Sequence, residues 1–245
     1  MMHGLIPVLR RELAGYFITP VAYVFIVIFL ILAGIFTFQM GKWFETGQAS
    51  MTVFFDSHPW LYLFLIPALS MRLWAEERKS GTVELLFTLP VTLPAAVIGK
   101  FLAAWAFSII ALSLTFPLWI TANYLGNPDN GAILTGYLGS LLMAGSFLAI
   151  GSAVSAATRS QVIAFIVSVV ICFLFLLAGF APVLDVVRGW ASPTIVEAVA
   201  NMSFLANFSW MSKGVVPLHN VLFFLSLIAA FVTATAIILD MKKAE

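Results

Sequence analysis

Long uncharged apolar runs alternate with short polar segments along the whole chain. A helix that crosses a bilayer needs roughly 20 predominantly apolar residues, because each residue adds about 1.5 Å along the helix axis. Six runs reach or approach that length, and each predicts a membrane-spanning helix. The predicted spans cover residues 18–40, 51–74, 94–123, 132–157, 162–184 and 218–239.

The second predicted span has the weakest apolar pattern of the six. Only residues 59–71 are uncharged between His58 and Arg72. A full crossing therefore requires the Arg72 side chain to extend back to the membrane surface. Asp56 then falls near the outer end of the helix, where we expect an interfacial carboxylate that faces water.

Two further segments predict helices that lie along the membrane surface. In residues 1–17, Leu5, Leu9 and Leu13 recur every four positions, and the polar side carries Arg10, Arg11 and Glu12. This spacing is typical of an amphipathic interfacial helix. Residues 185–217 are less apolar and more interrupted, and we expect short helices there in the outer leaflet.

Small residues recur every four positions in the fourth predicted span, at Gly136, Ser140 and Ala144. Such a stripe allows a neighbouring helix to approach closely, so we interpret it as a packing surface. The single cysteine, Cys172, lies inside an apolar run. We expect it to be a small buried side chain.

The composition supports the same fold class and excludes others. Hydrophobic residues make up 62% of the chain and charged residues 9%, whereas soluble domains contain about 45–50% apolar residues. The sequence therefore predicts an all-α polytopic membrane protein with six transmembrane helices. A net charge of +1 gives no reason to expect nucleic acid as a partner.

The distribution of lysine and arginine predicts the orientation of the chain. One side of the predicted topology carries nine of these residues and the other carries Lys42, Arg188 and Lys213. Positively charged loops stay in the cytoplasm, so the nine-residue side is predicted to be cytoplasmic. This places both termini inside the cell, and we expect the membrane to be a bacterial cytoplasmic (inner) membrane.

Charge is concentrated between the second and third spans, in residues 72–100. Residues 72–79 can extend the second helix out of the membrane, and Gly81 can end it in the left-handed conformation that closes many helices. Thr82 then begins a short helix with Glu84 in its first turn, before Pro90. We interpret Arg72 and Lys100, at the two ends of this loop, as solvated anchors.

This loop resembles the inner loop of ABC-2 type transporter permeases, most closely the gliding-motility (Gld) type. The matching residues are Glu76-Glu77-Arg78-Lys79-Ser80-Gly81-Thr82, Glu84-Leu85-Leu86, Pro90 and Gly99-Lys100-Phe101. The resemblance implies one ABC-2 transmembrane domain over residues 1–245, with residues 72–100 as a cytoplasmic coupling loop. The residues that it assigns to ATPase coupling are Glu76, Glu77, Arg78, Lys79, Ser80, Gly81, Thr82, Glu84, Leu85, Leu86 and Phe87.

The resemblance also implies partners. The chain is expected to be the permease subunit of an ATP-driven exporter, bound to a separate cytoplasmic ABC ATPase. A second permease copy, or a related or accessory membrane subunit, is expected to complete a dimer. ATP and Mg²⁺ then belong to the partner ATPase, and we expect no cofactor on this chain.

The motifs of the chain agree with that division of labour. A phosphate-binding loop requires G-x-x-x-x-G-K-[ST], but Gly99-Lys100 is followed by Phe101. No G-x-S-x-G or H-E-x-x-H motif occurs, and the three histidines are scattered. We therefore expect neither an enzyme nor a metal site.

Two other classes of function compete with a transporter permease. A membrane anchor or scaffold of a cell-envelope machine, regulated by an ABC ATPase, would carry the same kind of loop. An ion-coupled carrier or intramembrane enzyme would place ionisable groups near the bilayer midplane. Five of the six predicted spans have none there, which argues against that class. The sequence does not indicate the substrate.

Overall fold

The computed structural model describes residues 4–82 and 91–242, and these residues form helices and connecting loops without a strand. The predicted all-α class is confirmed. The helices are α1 Leu5–Ile18, α2 Pro20–Ile35, α3 Thr52–Ser70, α4 Arg72–Ser80, α5 Leu93–Ser113, α6 Phe116–Leu125, α7 Asn130–Ala157, α8 Gln161–Leu177, α9 Ala181–Arg188, α10 Pro193–Asn201, α11 Phe204–Ser212 and α12 Leu218–Met241. A π-helical turn, Phe36–Met40, extends α2.

Four helical segments of the described residues are long and apolar enough to cross a membrane. They are Pro20–Met40, Leu93–Leu125, Asn130–Ala157 and Leu218–Met241. Their positions agree with the first, third, fourth and sixth predicted spans, which supports a polytopic membrane protein. The count of six spans stays a prediction.

The fifth predicted span, residues 162–184, is not one straight helix. Helices α8 and α9 meet at an angle of 79°, and together they qualify as one broken span. Gly179 lies in the break, and a proline lies in the first turn of α9. Proline favours the start of a helix and cannot continue one, so the new helix begins here.

The second predicted span is divided at Met71 into α3 and α4. Helix α3 buries 12 of its 19 residues and packs against α2, α7, α8 and α11. A helix surrounded by other helices has little contact with lipid, so it can carry polar residues such as His58 without facing hydrocarbon. Its surroundings explain why its apolar pattern is weak.

Helix α7 is the centre of the bundle. It buries 18 of its 28 residues and contacts α3, α4, α5, α8, α11 and α12. A Cβ atom added at Gly136 would lie 2.5 Å from the Phe55 ring, and one at Gly151 would lie 1.9 Å from Ser70 Oγ. Glycine is required at both positions by the close approach of α3. The predicted packing stripe at Gly136, Ser140 and Ala144 is confirmed as buried helix surface.

The amphipathic N-terminal segment forms α1, which packs against α2 and α5. Val8 is buried, and a Cβ atom at Gly99 of α5 would lie 2.9 Å from its side chain. Helix α1 therefore lies against the start of α5. After the break at α9, the short helices α10 and α11 follow, as the pattern of residues 185–217 predicts. Cys172 is fully buried, as expected.

Candidate functional site around helix α4

Helix α4 has an apolar start and a charged end, with the sequence RLWAEERKS. Its last turn carries Arg78 and Lys79, whose positive charges are favourable at a helix C-terminus. Gly81 follows with φ of +72°, and its N–H donates to the carbonyl of Glu77. The left-handed end predicted at Gly81 is therefore confirmed.

The apolar face of α4 is fastened to the end of α7 by two serines. The Ser155 hydroxyl accepts hydrogen bonds from the backbone N–H groups of Trp74 and Ala75, at 3.1 and 3.0 Å. It donates in turn to the carbonyl of Met71, at 2.9 Å. The indole of Trp74 is fully buried and donates to Ser152 at 3.2 Å. These bonds fix the position of α4, because buried donors left without acceptors are costly.

Arg78 adds a third contact between the same two helices. Its guanidinium donates a 2.7 Å hydrogen bond to the carbonyl of Ala156, near the C-terminus of α7. The carbonyl groups of a last helical turn lack partners within the helix, so a cation there satisfies one of them. Arg78 was predicted to contact the ATPase, and this bond directs its guanidinium toward the bundle.

The burial of Lys100 contradicts its interpretation as a solvated anchor, since only 3% of the residue is exposed. Its ammonium group lies 2.5 Å from Glu77 Oε1 and 3.7 Å from Glu12 Oε2. It also donates to the carbonyl of Leu73 at 3.2 Å and lies 4.9 Å from the ring centre of Trp74. A buried charge is tolerated only when it is paired and hydrogen-bonded, and Lys100 meets both conditions.

The ion cluster of Lys100, Glu77 and Glu12 joins helices α5, α4 and α1. Sequence reasoning missed it because Lys100 lies beside Gly99 at the end of a charged loop, where a solvated side chain is the usual outcome. The structural roles of Glu12, Ser152 and Ser155 were also missed. Each of these residues is distant in the sequence from its partner, and only helix packing brings the two together.

The rest of the predicted coupling residues divide into two groups. Glu76, Lys79, Ser80, Gly81 and Thr82 are exposed at the end of α4. Glu76 pairs with Arg72 at 3.1 Å on the exposed side, so the solvated interpretation of Arg72 is correct. Glu84, Leu85, Leu86 and Phe87 lie outside the described residues.

An open cleft of about 450 Å³ lies beside α4. Its charged wall contains Arg11, Glu12, Arg72, Glu76, Glu77 and Lys100, and its apolar wall includes Val21, Ala22, Phe25, Leu69 and Phe107. Tyr16 also lines the cleft and stacks on Phe107 with ring centres 5.1 Å apart. Burial, and next the neighbouring Glu12 carboxylate, raise the pKa of the Tyr16 phenol. The phenol therefore stays uncharged at neutral pH.

No metal-binding group of three or more His, Cys, Asp or Glu side chains occurs within residues 4–82 and 91–242. One face of α4 bonds with α7 and α5, and with α1 through Lys100, whereas the other face is exposed. Together with the apolar spans, this arrangement defines a polytopic helical membrane protein with a partly exposed polar helix.

The comparison with protein families identifies that class more closely. The family model described as ABC-2 family transporter protein matches residues 61–244, about three quarters of the chain. The chain therefore belongs to the ABC-2 transporter family, and it is a membrane permease subunit of an ABC transporter. Subunits of this family generally work with an ABC ATPase. A comparison with curated proteins gives no match.

Proposed function

We propose that this permease subunit takes part in ATP-driven export, and that α4 and the residues after it couple the ATPase to the spans. The observation that carries the proposal is the division of α4 into two faces. Trp74, Glu77 and Arg78 face the bundle and bond with α5 and α7. Glu76, Lys79 and Thr82 remain exposed.

A coupling element has to be accessible to its partner and rigidly joined to the parts that it moves. A force applied at the exposed end of α4 reaches α7 through Ser152 and Ser155. It reaches α1 and α5 through the Lys100 ion cluster. A conformational change is transmitted only if the ATPase contacts two states of the permease differently. A helix that is bonded to the spans can pass that difference on to them.

The proposed assembly contains two permease chains and two ATPases in a bacterial cytoplasmic membrane, with the end of α4 in the cytoplasm. The Gld-type resemblance of the loop supports this arrangement, and so does the asymmetry of lysine and arginine. Within the loop, Leu85, Leu86 and Phe87 are the proposed apolar contacts, and Glu84 is a proposed charged contact. Native mass spectrometry of the mildly extracted complex should give equal numbers of permease and ATPase subunits.

Replacing Leu86 by aspartate tests the coupling role directly. Burying a leucine side chain contributes roughly 1.5–3 kcal/mol, so L86D should lower the amount of ATPase retained by the purified chain by at least about tenfold. The measurement is ATPase co-purification, and ATP hydrolysis by the purified complex, at matched membrane levels. Glu84→Lys should have a smaller effect, because exposed ion pairs contribute about 0–1 kcal/mol.

Phe44→Asp is the matched control, because Phe44 is 63% exposed and lies in the loop predicted to face the opposite side of the membrane. It should leave ATPase retention unchanged. If the wild-type chain retains no ATPase, the proposed function fails. If L86D and F44D both retain it fully, the ATPase docks elsewhere and residues 72–100 are only an anchor.

A further inference from the structure

The cleft beside α4 has the two-part lining that an amphiphilic ligand requires. Its charged residues belong to α1, α4 and the start of α5, whereas its apolar residues include Val21, Ala22 and Phe25 of α2 and Leu69 of α3. Helix α1 precedes α2 and α4 follows α3, so the charged residues of α1 and α4 lie together at one end of the α2–α3 pair. A volume near 450 Å³ falls in the range of about 300–1,000 Å³ that is typical of small-molecule sites.

The accessible charges of the cleft point to the kind of head group. The side chains of Arg11, Arg72 and Glu76 are 57%, 42% and 52% exposed, in the surface pairs Arg11–Glu12 and Arg72–Glu76, whereas Lys100 is engaged in its buried cluster. Exposed pairs of this kind contribute only about 0–1 kcal/mol, so a charged ligand can exchange with them. Arginine binds phosphate through two parallel hydrogen bonds, and a carboxylate accepts hydrogen bonds from an ammonium group. Three cationic and three acidic side chains line the cleft, so their formal charges cancel. A zwitterionic head preserves that balance.

A second observation favours a head group that can donate hydrogen bonds. Glu77 lines the cleft, and its Oε2 atom is buried without a hydrogen-bond partner among the described residues. A buried acceptor without a donor is costly. The Glu77 side chain is 24% exposed, so a rotation of its carboxylate brings this oxygen to the cleft. A primary ammonium group there carries donors that can satisfy it, and a quaternary ammonium group carries none. The uncharged phenol of Tyr16 adds a further polar group to the cleft.

We propose that this cleft binds one phospholipid with a phosphoethanolamine head, whose phosphate lies against Arg11 and Arg72. The ammonium group lies against Glu76 and Glu77, and an acyl chain lies on the apolar wall formed by α2 and α3. The proposal goes beyond coupling to an ATPase and does not depend on it. A lipid bound here would contact α4 directly and so stabilise one position of the ion cluster.

One glycine allows the site to be filled without disturbing the protein, and a second glycine provides the control. Gly15 and Gly34 are both helical, both partly exposed, and a Cβ atom at either would meet nothing within 4 Å. Gly15 lines the cleft and Gly34 does not. Replacing a glycine within a helix also improves helix propensity. Gly15→Phe therefore places a ring in the cleft, and Gly34→Phe is its matched control.

The experiment measures lipid retention by the purified full chain in detergent, by native mass spectrometry. The probes are phosphatidylethanolamine, phosphatidylcholine, phosphatidylglycerol and diacylglycerol. The wild-type and G34F chains should prefer phosphatidylethanolamine, and G15F should lose its retention on the order of tenfold. Glu76→Gln should shift the preference toward phosphatidylglycerol, because it removes a carboxylate that repels an anionic head.

Three results would overturn the proposal. Equal retention of the four lipids by the wild-type chain would mean that the lipids bind without a specific site. Equal retention of phosphatidylethanolamine by G15F and G34F would mean that it binds elsewhere. A loss of chain dimers in G15F, with its lipid retention unchanged, would mean that a second copy of the chain covers the cleft.

Discussion

At the scale of single residues, the ammonium group of Lys100 pairs with Glu77 and Glu12, which lie on two other helices. Removing one partner of a buried ion pair costs about 3–5 kcal/mol, and the partial exposure of both carboxylates favours the lower end of that range. Lys100→Met should therefore lower the thermal unfolding temperature of the purified chain clearly. Arg72→Met is the control, since its exposed pair contributes about 0–1 kcal/mol. Adding Glu77→Gln to Lys100→Met should restore part of the loss, and equal effects of Lys100→Met and Arg72→Met would contradict the role of the cluster.

At the scale of elements, α4 ends because Gly81 adopts a positive φ of 72°. A Cβ atom at Gly81 meets nothing within 4 Å, so Gly81→Val strains only the backbone, by roughly 1–2 kcal/mol. The chain should then leave α4 in another direction, and ATPase co-purification should fall. Gly81→Asn should be tolerated, because asparagine accepts this conformation. Gly47→Val carries the same strain at φ of +64° in the loop after α2, and ATPase retention should stay at the wild-type level.

At the scale of the whole molecule, the predicted topology can be tested with single cysteines in a variant that lacks Cys172. Asn127, Lys213 and Ser80 are all exposed in the folded chain, so each thiol is accessible in the absence of a membrane. A membrane-impermeant maleimide added to intact cells should modify cysteines at positions 127 and 213. The cysteine at position 80 should react only after the membrane is opened. Modification of position 80 from outside would place α4 on the wrong side for an ATPase.

The sequence by itself determined the features that depend on local pattern. Hydrophobic runs near 20 residues predicted the helices Pro20–Met40 and Asn130–Ala157. The bilayer sets the length of a spanning helix, and that length is visible within one continuous segment of the sequence. The end of α4 at Gly81 was predictable for a similar reason, since few residues other than glycine adopt a left-handed conformation readily. The charged loop likewise carried enough signal to indicate the ABC-2 family, which the family comparison confirms.

Only the tertiary structure decided which charges and which helices are buried. Lys100 and Glu77 are separated by 23 residues, and Lys100 and Glu12 by 88, so no local pattern pairs them. Helix α3 was the weakest predicted span because hydropathy measures how well a segment suits a lipid environment. Helix α3 instead packs against other helices, α7 and α8 among them. The cleft beside α4 also results from packing, because its walls come from α1, α2, α3, α4 and α5. The physical reason is the same throughout: burial depends on contacts between elements, whereas a sequence pattern describes one element at a time.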